Sequence, residues 1–129
     1  MVAFREQIQE QVSINMNLNS SIKDKIKSHS EKVFPEECCG LLIEDEEGDI
    51  DVVECENSSE DKESLFKIST EEYLEALSQG DIVAVYHSHT KGDNSFSEAD
   101  KDISESLELN SILYISSKDE FEIMEAKKV

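Results

Sequence analysis

The run Ile82-Val83-Ala84-Val85-Tyr86, followed at once by His87-Ser88-His89, most constrains what this chain can fold into. An uninterrupted apolar run of that length reads as a strand buried on both faces. In extended backbone, residues i and i+2 point to the same side. His87 and His89, two of the three histidines in the chain, therefore aim both imidazoles at one point where the strand ends. Further on, Ser97-Glu98-Ala99-Asp100 has the form of a helix start, with Ser97 as N-cap and Asp100 at the third helical position. One carboxylate thus sits on a rigid element a short loop away from the strand. Two imidazoles and a carboxylate suit catalytic zinc, which keeps a fourth position for water. Taken alone, the segment also reads as a surface histidine pair followed by an ordinary capping acid.

A chain of 129 residues is expected to be one domain with a single core. Its 31 acidic against 12 basic residues give a net charge of −19. A surface that acidic repels nucleic acid and anionic lipid, so neither is an expected partner; it serves solubility or faces a basic partner. No stretch approaches the roughly 18 apolar residues of a membrane span, and no basic segment followed by an apolar one opens the chain. The expected location is cytoplasmic. Cys38, Cys39 and Cys55 are an odd set without a secretion signal, which argues against a disulfide framework. Adjacent Cys38 and Cys39 fall on opposite faces of a strand. Buried, inert thiols account for the three better than a zinc site at Cys55 or a nucleophile at Cys39.

Residues 1–18 are expected to form an N-terminal extension, either a strand or a loose segment: Val12, Ile14, Met16 and Leu18 alternate as in a strand, while Phe4, Ile8 and Val12 fit a helical stripe. Residues 19–129 are expected to form the domain itself. A helix starts at Asn19, carries Ile22, Ile26, His29 and Val33 at helical spacing and stops at Pro35. His29 belongs at the edge of the core. A strand Cys39–Ile43, an acidic turn with Gly48 and a strand Ile50–Cys55 make a hairpin. A polar loop over 57–63 leads to an expected short strand Leu65–Ile68. Ser69-Thr70-Glu71-Glu72 reads as a capping box opening a helix that carries Tyr73, Leu74 and Leu77 and ends near Gly80. After the histidine strand, Ala99, Ile103 and Leu107 mark the inner face of a helix ending about Asn110. Strands Ser111–Ile115 and Glu120–Met124 close the chain.

The segment from His87 to Asp100 resembles the signature of the JAMM (MPN-domain) zinc metalloproteases, in which H-S/T-H, seven residues and S-x-x-D follow an upstream glutamate. Pro35-Glu36-Glu37-Cys38-Cys39-Gly40-Leu41-Leu42-Ile43 resembles that family's P-x-E-x-C-G-L-L run, and the resemblance extends over roughly residues 22–125. It implies an α/β (α+β) fold, with a mixed, curved β-sheet flanked by helices in the MPN/JAMM (cytidine-deaminase-like) architecture. It also implies one Zn²⁺ per chain held by His87, His89 and Asp100, with Glu37 as catalytic base and Ser97 orienting water or stabilising the oxyanion. Thr90 and Phe96 stand where the family usually has proline. The implied activity is that of a zinc-dependent metallopeptidase or isopeptidase hydrolysing an amide bond in a protein or peptide, either a ubiquitin-like protein or a phage tail protein. Ile82 to His89 and Ser97 to Asp100 look closest to the domain found in phage tail-tip assembly proteins, for which the compartment would be the host cytoplasm. The alternative is a zinc-binding MPN-like assembly or scaffold module without turnover. The sequence sets no oligomeric state.

Overall fold

The Asn19 side chain accepts the backbone N–H of Ile22 at 3.0 Å and opens helix α1 (Ser20–Val33). The computed structural model describes residues 18–92 and 95–126; the N-terminal extension expected as a strand or a loose segment lies, but for Leu18, outside them. Helix α1 buries Ile22, Ile26 and His29 along one stripe and ends where Phe34 N–H bonds to Ser30 O, just before Pro35. Strands β1 (Cys39–Glu44) and β2 (Ile50–Cys55) form the expected antiparallel hairpin, with Cys39 opposite Cys55. In its turn, Asp45 Oδ1 accepts the N–H groups of Glu47 and Asp49, and Gly48 takes a left-handed φ of 86°.

Helix α2 (Thr70–Leu77), strand β3 (Asp81–His89), helix α3 (Glu98–Leu107) and strands β4 (Asn110–Ile115) and β5 (Glu120–Met124) complete the order. The open five-stranded sheet runs β2-β1-β3-β4-β5. Strand β3 lies at its centre, antiparallel to β1 and parallel to β4. Parallel neighbours require a crossover over one face of the sheet. Here the segment after His89 and helix α3 make that crossover, which carries Ser97 and Asp100 back over the end of β3.

The two sheet faces explain the unbroken apolar run. Ile22, Ile26, Cys38, Leu42, Ala84, Tyr86, Ile112 and Tyr114 pack together under α1. Cys39, Leu41, Ile43, Cys55, Phe66, Ala76 and Val85 pack on the opposite face, with Tyr73 and Ile103 against them. Successive residues of β3 thus enter different cores. A Cβ on Gly40 would collide with the Tyr86 ring and the Val53 carbonyl, so the middle of β1 requires glycine. The fold is the mixed-sheet α/β (α+β) class expected.

Three local expectations are corrected. Residues 65–68 form no strand. Strand β3 is already paired on both edges, and the Asn57 side chain takes the backbone groups of this segment instead: Nδ2 donates to Leu65 O at 2.9 Å and Oδ1 accepts Lys67 N–H at 3.2 Å. In α2, Ser69 does cap Glu72 N–H, but Glu72 does not return the bond; its carboxylate accepts Glu56 N–H. Ala76 is the buried residue of that helix, while Leu74 and Leu77 are exposed. In α3 the buried positions are Asp100 and Ser104, with Ala99, Ile103 and Leu107 only half-buried, because this helix packs with its polar N-terminal turn toward the end of β3.

Candidate metal centre

Strand alternation does to His87 and His89 what the sequence requires: both are buried, their rings lie 5.0 Å apart, and their Nε2 atoms approach to 3.3 Å. Helix α3 begins with a complete capping box, in which Ser97 Oγ accepts Asp100 N–H and the Asp100 carboxylate accepts Ser97 N–H. The oxygen that closes this box, Asp100 Oδ2, also lies 3.1 Å from His87 Nε2 and 2.9 Å from His89 Nε2. The helix start therefore fixes the carboxylate before it meets the histidines. Burial pushes the Asp100 carboxyl up, yet hydrogen bonds from both histidines outweigh it and hold the group well below the usual carboxylate range. Burial lowers the His87 pKa, favouring the neutral ring that can donate a lone pair.

Glu37 reaches the same place from the other side of β3. It follows α1 and Pro35, and its backbone is pinned at several points: Glu37 N–H donates to Lys62 O at 2.7 Å, and Asn57 Nδ2 donates to Glu37 O at 3.0 Å. One residue on, Cys38 N–H donates to Ser88 Oγ and Ser88 N–H to Cys38 O. The buried Glu37 carboxylate and the ring nitrogens of His87 and His89 all lie within 4.8 Å of one another, a group able to hold a metal ion. Glu37 Oε1 is buried without a hydrogen-bond partner. Burial pushes the Glu37 pKa up to about 7, with the nearby His89 pulling down and Asp100 pushing up.

The donors fit a zinc-sized cation. Metal–ligand bonds of 2.0–2.1 Å in tetrahedral geometry put ligand atoms about 3.3 Å apart. The triangle formed by His87 Nε2, His89 Nε2 and Asp100 Oδ2 has edges of 3.3, 3.1 and 2.9 Å, slightly contracted from that face. One feature departs from common metal sites, where the second ring nitrogen donates to a neighbour: His87 Nδ1 is buried without a hydrogen-bond partner. The His87 ring is held by stacking, face to face with Phe66 at 4.4 Å and 19°, and flanked by Phe96 at 6.1 Å.

All five residues singled out in the sequence, Glu37, His87, His89, Ser97 and Asp100, meet here. Thr90 and Phe96 replace the family's prolines with contacts. Thr90 Oγ1 donates to Pro35 O at 2.7 Å, tying the loop after β3 to the segment before Glu37, and Phe96 flanks His87. Asn57, Phe66 and Ser88 were not anticipated. Phe66 is an apolar residue in a run that suggested a strand, and Asn57 looks like any loop residue; only the assembled fold gives either a role at the site. His29 stands apart, buried under α1 with Nδ1 2.7 Å from the Tyr86 hydroxyl, as a core-edge histidine should. The three cysteines are free and buried, and burial raises their thiol pKa values, Cys38 and Cys55 to about 12. They are poor nucleophiles.

No helix among the described residues is long and apolar enough to cross a membrane. The sequence matches the family model described as prokaryotic homologs of the JAB domain over residues 19–127. Tail tip assembly protein K of Escherichia phage N15 is 33% identical over 78 residues, a match covering 60% of this chain and 32% of that protein. The matched part thus spans about a third of that relative's length. Among solved structures, the solution structure of a Desulfitobacterium hafniense protein superposes with a TM-score of 0.65 at 19% identity, covering 83% of this chain and 88% of that one. A Salinibacter ruber protein gives a TM-score of 0.50 at 21% identity over 86% and 90% of the two chains. At those identities the likeness speaks for the fold alone. The family model spans nearly all of the described sequence, from the cap of α1 to the end of β5, and the chain belongs to the prokaryotic homologs of the JAB domain.

Proposed function

We propose that this protein is a zinc-dependent peptidase that hydrolyses an amide bond, with His87, His89 and Asp100 as metal ligands and Glu37 as general base. The observation that carries the reading is the convergence of two buried imidazoles, one strongly acidic carboxylate and one weakly acidic carboxyl within a few ångströms. Two acids whose environments push their pKa values apart divide the labour between holding charge and moving protons. When bound, zinc supplies Lewis acidity toward water and the substrate carbonyl.

The chain's own residues do the rest. Asp100 stays ionised, offsets the cation's charge and is oriented by the Ser97 N–H. Glu37, set back from the ligand triangle and without a hydrogen-bond partner at Oε1, has room to accept a proton from the attacking water and deliver it to the leaving amine. A folded pKa of about 7 is near the optimum for that exchange at neutral pH, and a cation at the histidines would draw it down by attraction. The Ser97 hydroxyl oxygen accepts Asp100 N–H, which leaves its own hydrogen to donate to the oxyanion.

The substrate is a protein or peptide. Likeness to a tail tip assembly protein makes a phage tail protein the first candidate and a ubiquitin-like protein the second. Elemental analysis of protein purified without chelators should find one zinc per chain, and hydrolysis of one of these substrates should stop on chelation and return with zinc. Full zinc occupancy with no hydrolysis of either class would favour an assembly module that retains the ligands without turnover.

A further inference from the structure

Beside the candidate centre lies a cavity of about 310 Å³ lined by Phe66, Lys67, Ile68, Thr70, Tyr73, Ile103, Ser106 and Leu107. Two elements join it to the centre. Phe66 forms part of its wall and stacks on His87. Helix α3, which presents Asp100 to the histidines, lines the cavity one and two turns further along with Ile103 and Leu107. The wall is apolar apart from Lys67, Thr70 and Ser106, all exposed.

We propose that this cavity is a substrate subsite that receives one aliphatic side chain, of the leucine, isoleucine or methionine class, from the polypeptide whose amide bond lies at the centre. The inference rests on the peptidase reading and adds the substrate class to it. Size selects the occupant: the volume is at the lower end for ligand clefts, enough for a side chain and its backbone but not for the flat face of a partner helix. Chemistry selects it too, because the side chains of Phe66, Ile68, Ile103 and Leu107 offer apolar contact, while the polar lining residues Lys67, Thr70 and Ser106 stay exposed to water. The Asn57 side chain, by bonding Leu65 O and Lys67 N–H, holds Phe66 between the centre and the cavity. One residue thus walls the pocket and braces a proposed ligand.

The test uses the full chain with Glu37→Gln, loaded with zinc, and a set of acetylated hexaglycine amides carrying one Leu, Ala or Asp at each position in turn. Binding is read from the methyl resonances of Ile68, Ile103 and Leu107. Leu peptides at one or two positions should shift these methyls with an affinity about tenfold above the Ala peptides, and the Asp peptides should not shift them. Ser106→Trp and Thr70→Trp, which fill the cavity from two exposed positions, should each abolish the difference. Equal binding of Leu and Ala peptides, or Leu-dependent shifts that survive both tryptophan variants, would overturn the proposal. Hydrolysis by the unmodified protein separates the two ideas. Cleavage indifferent to Leu removes the subsite and keeps the peptidase, whereas Leu-selective methyl shifts without any cleavage keep the subsite and remove the peptidase.

Discussion

Phe66 lies flat on His87, with ring centroids 4.4 Å apart and planes 19° from parallel. Because His87 Nδ1 is buried with no hydrogen-bond partner, this contact does the orienting that a hydrogen bond performs at most metal-binding histidines. Phe66→Leu keeps an apolar side chain but removes the flat ring. It should weaken zinc binding about 10–100-fold, the range seen when a residue supporting a ligand is lost. Competition with a chromophoric chelator measures this directly; an unchanged zinc affinity would show that the stack only fills space.

Asp100 has two jobs, which can be separated. Its Oδ2 closes the α3 capping box and also meets both histidines. Asp100→Ala should therefore abolish zinc binding and cost about 0.5–2 kcal/mol of stability from the lost cap even in metal-free protein. Elemental analysis reports the first effect and urea denaturation with chelator the second. Zinc retained at full occupancy in this variant moves the third ligand to Glu37, the other acid near the histidines.

Asn57 is the brace behind the centre. Its amide donates to Glu37 O, Lys62 O and Leu65 O, and its carbonyl accepts Ser59 and Lys67 N–H. Asn57→Ala strips several partly or fully buried backbone groups of a partner, so a loss of at least about 1–3 kcal/mol in urea unfolding is expected. A loss under about 0.5 kcal/mol, typical of surface positions, would contradict this role.

The Glu37 carboxyl also gives the metal-free protein a pH signature. Burial raises its folded pKa to about 7 from the ordinary carboxylate value of 4.5. The native state then holds a proton that the unfolded chain has released, so the contribution is full below about 4.5 and is lost as pH rises through about 7. Asp100 and His87, whose folded pKa values are lowered, act in the opposite direction and lose stability on acidification. Subtracting the curve for Glu37→Gln isolates the Glu37 part. With chelator present, the difference between unmodified protein and variant should fall by up to about 3 kcal/mol between pH 4.5 and 7.5. A difference that is flat or rises with pH would contradict a buried, proton-holding Glu37.

Much of this centre could be read from local sequence, because local rules dictate it. Strand alternation sets the His87 and His89 directions, the capping box sets Asp100, and Asn19 with Pro35 bounds α1; each depends on a few neighbouring residues. What could not be read depends on tertiary competition. The 65–68 run is as apolar as a strand, but β3 has β1 and β4 on its two edges, and Phe66 contributes more as a lid on His87 than as part of a ladder. The face of α2 was misread because Ala76, the smallest apolar residue of its pattern, allows the closest approach to the sheet while Leu74 and Leu77 stay outside. Asn57 carries no local signal, since its five bonds are made to a fold that must already exist.

The most direct test of the central claim compares Glu37→Gln with Glu36→Gln. Glu37 is buried beside the histidines, whereas Glu36 lines a separate polar pocket with Glu60, Asp61, Lys62, Glu63 and Lys91. With a cleavable substrate, Glu37→Gln should keep its zinc and lose on the order of 10²–10⁴ in turnover, as removal of a general base does. Glu36→Gln should keep both. Equal losses in the two variants, or loss at Glu36 alone, would contradict the assignment of Glu37 as the base.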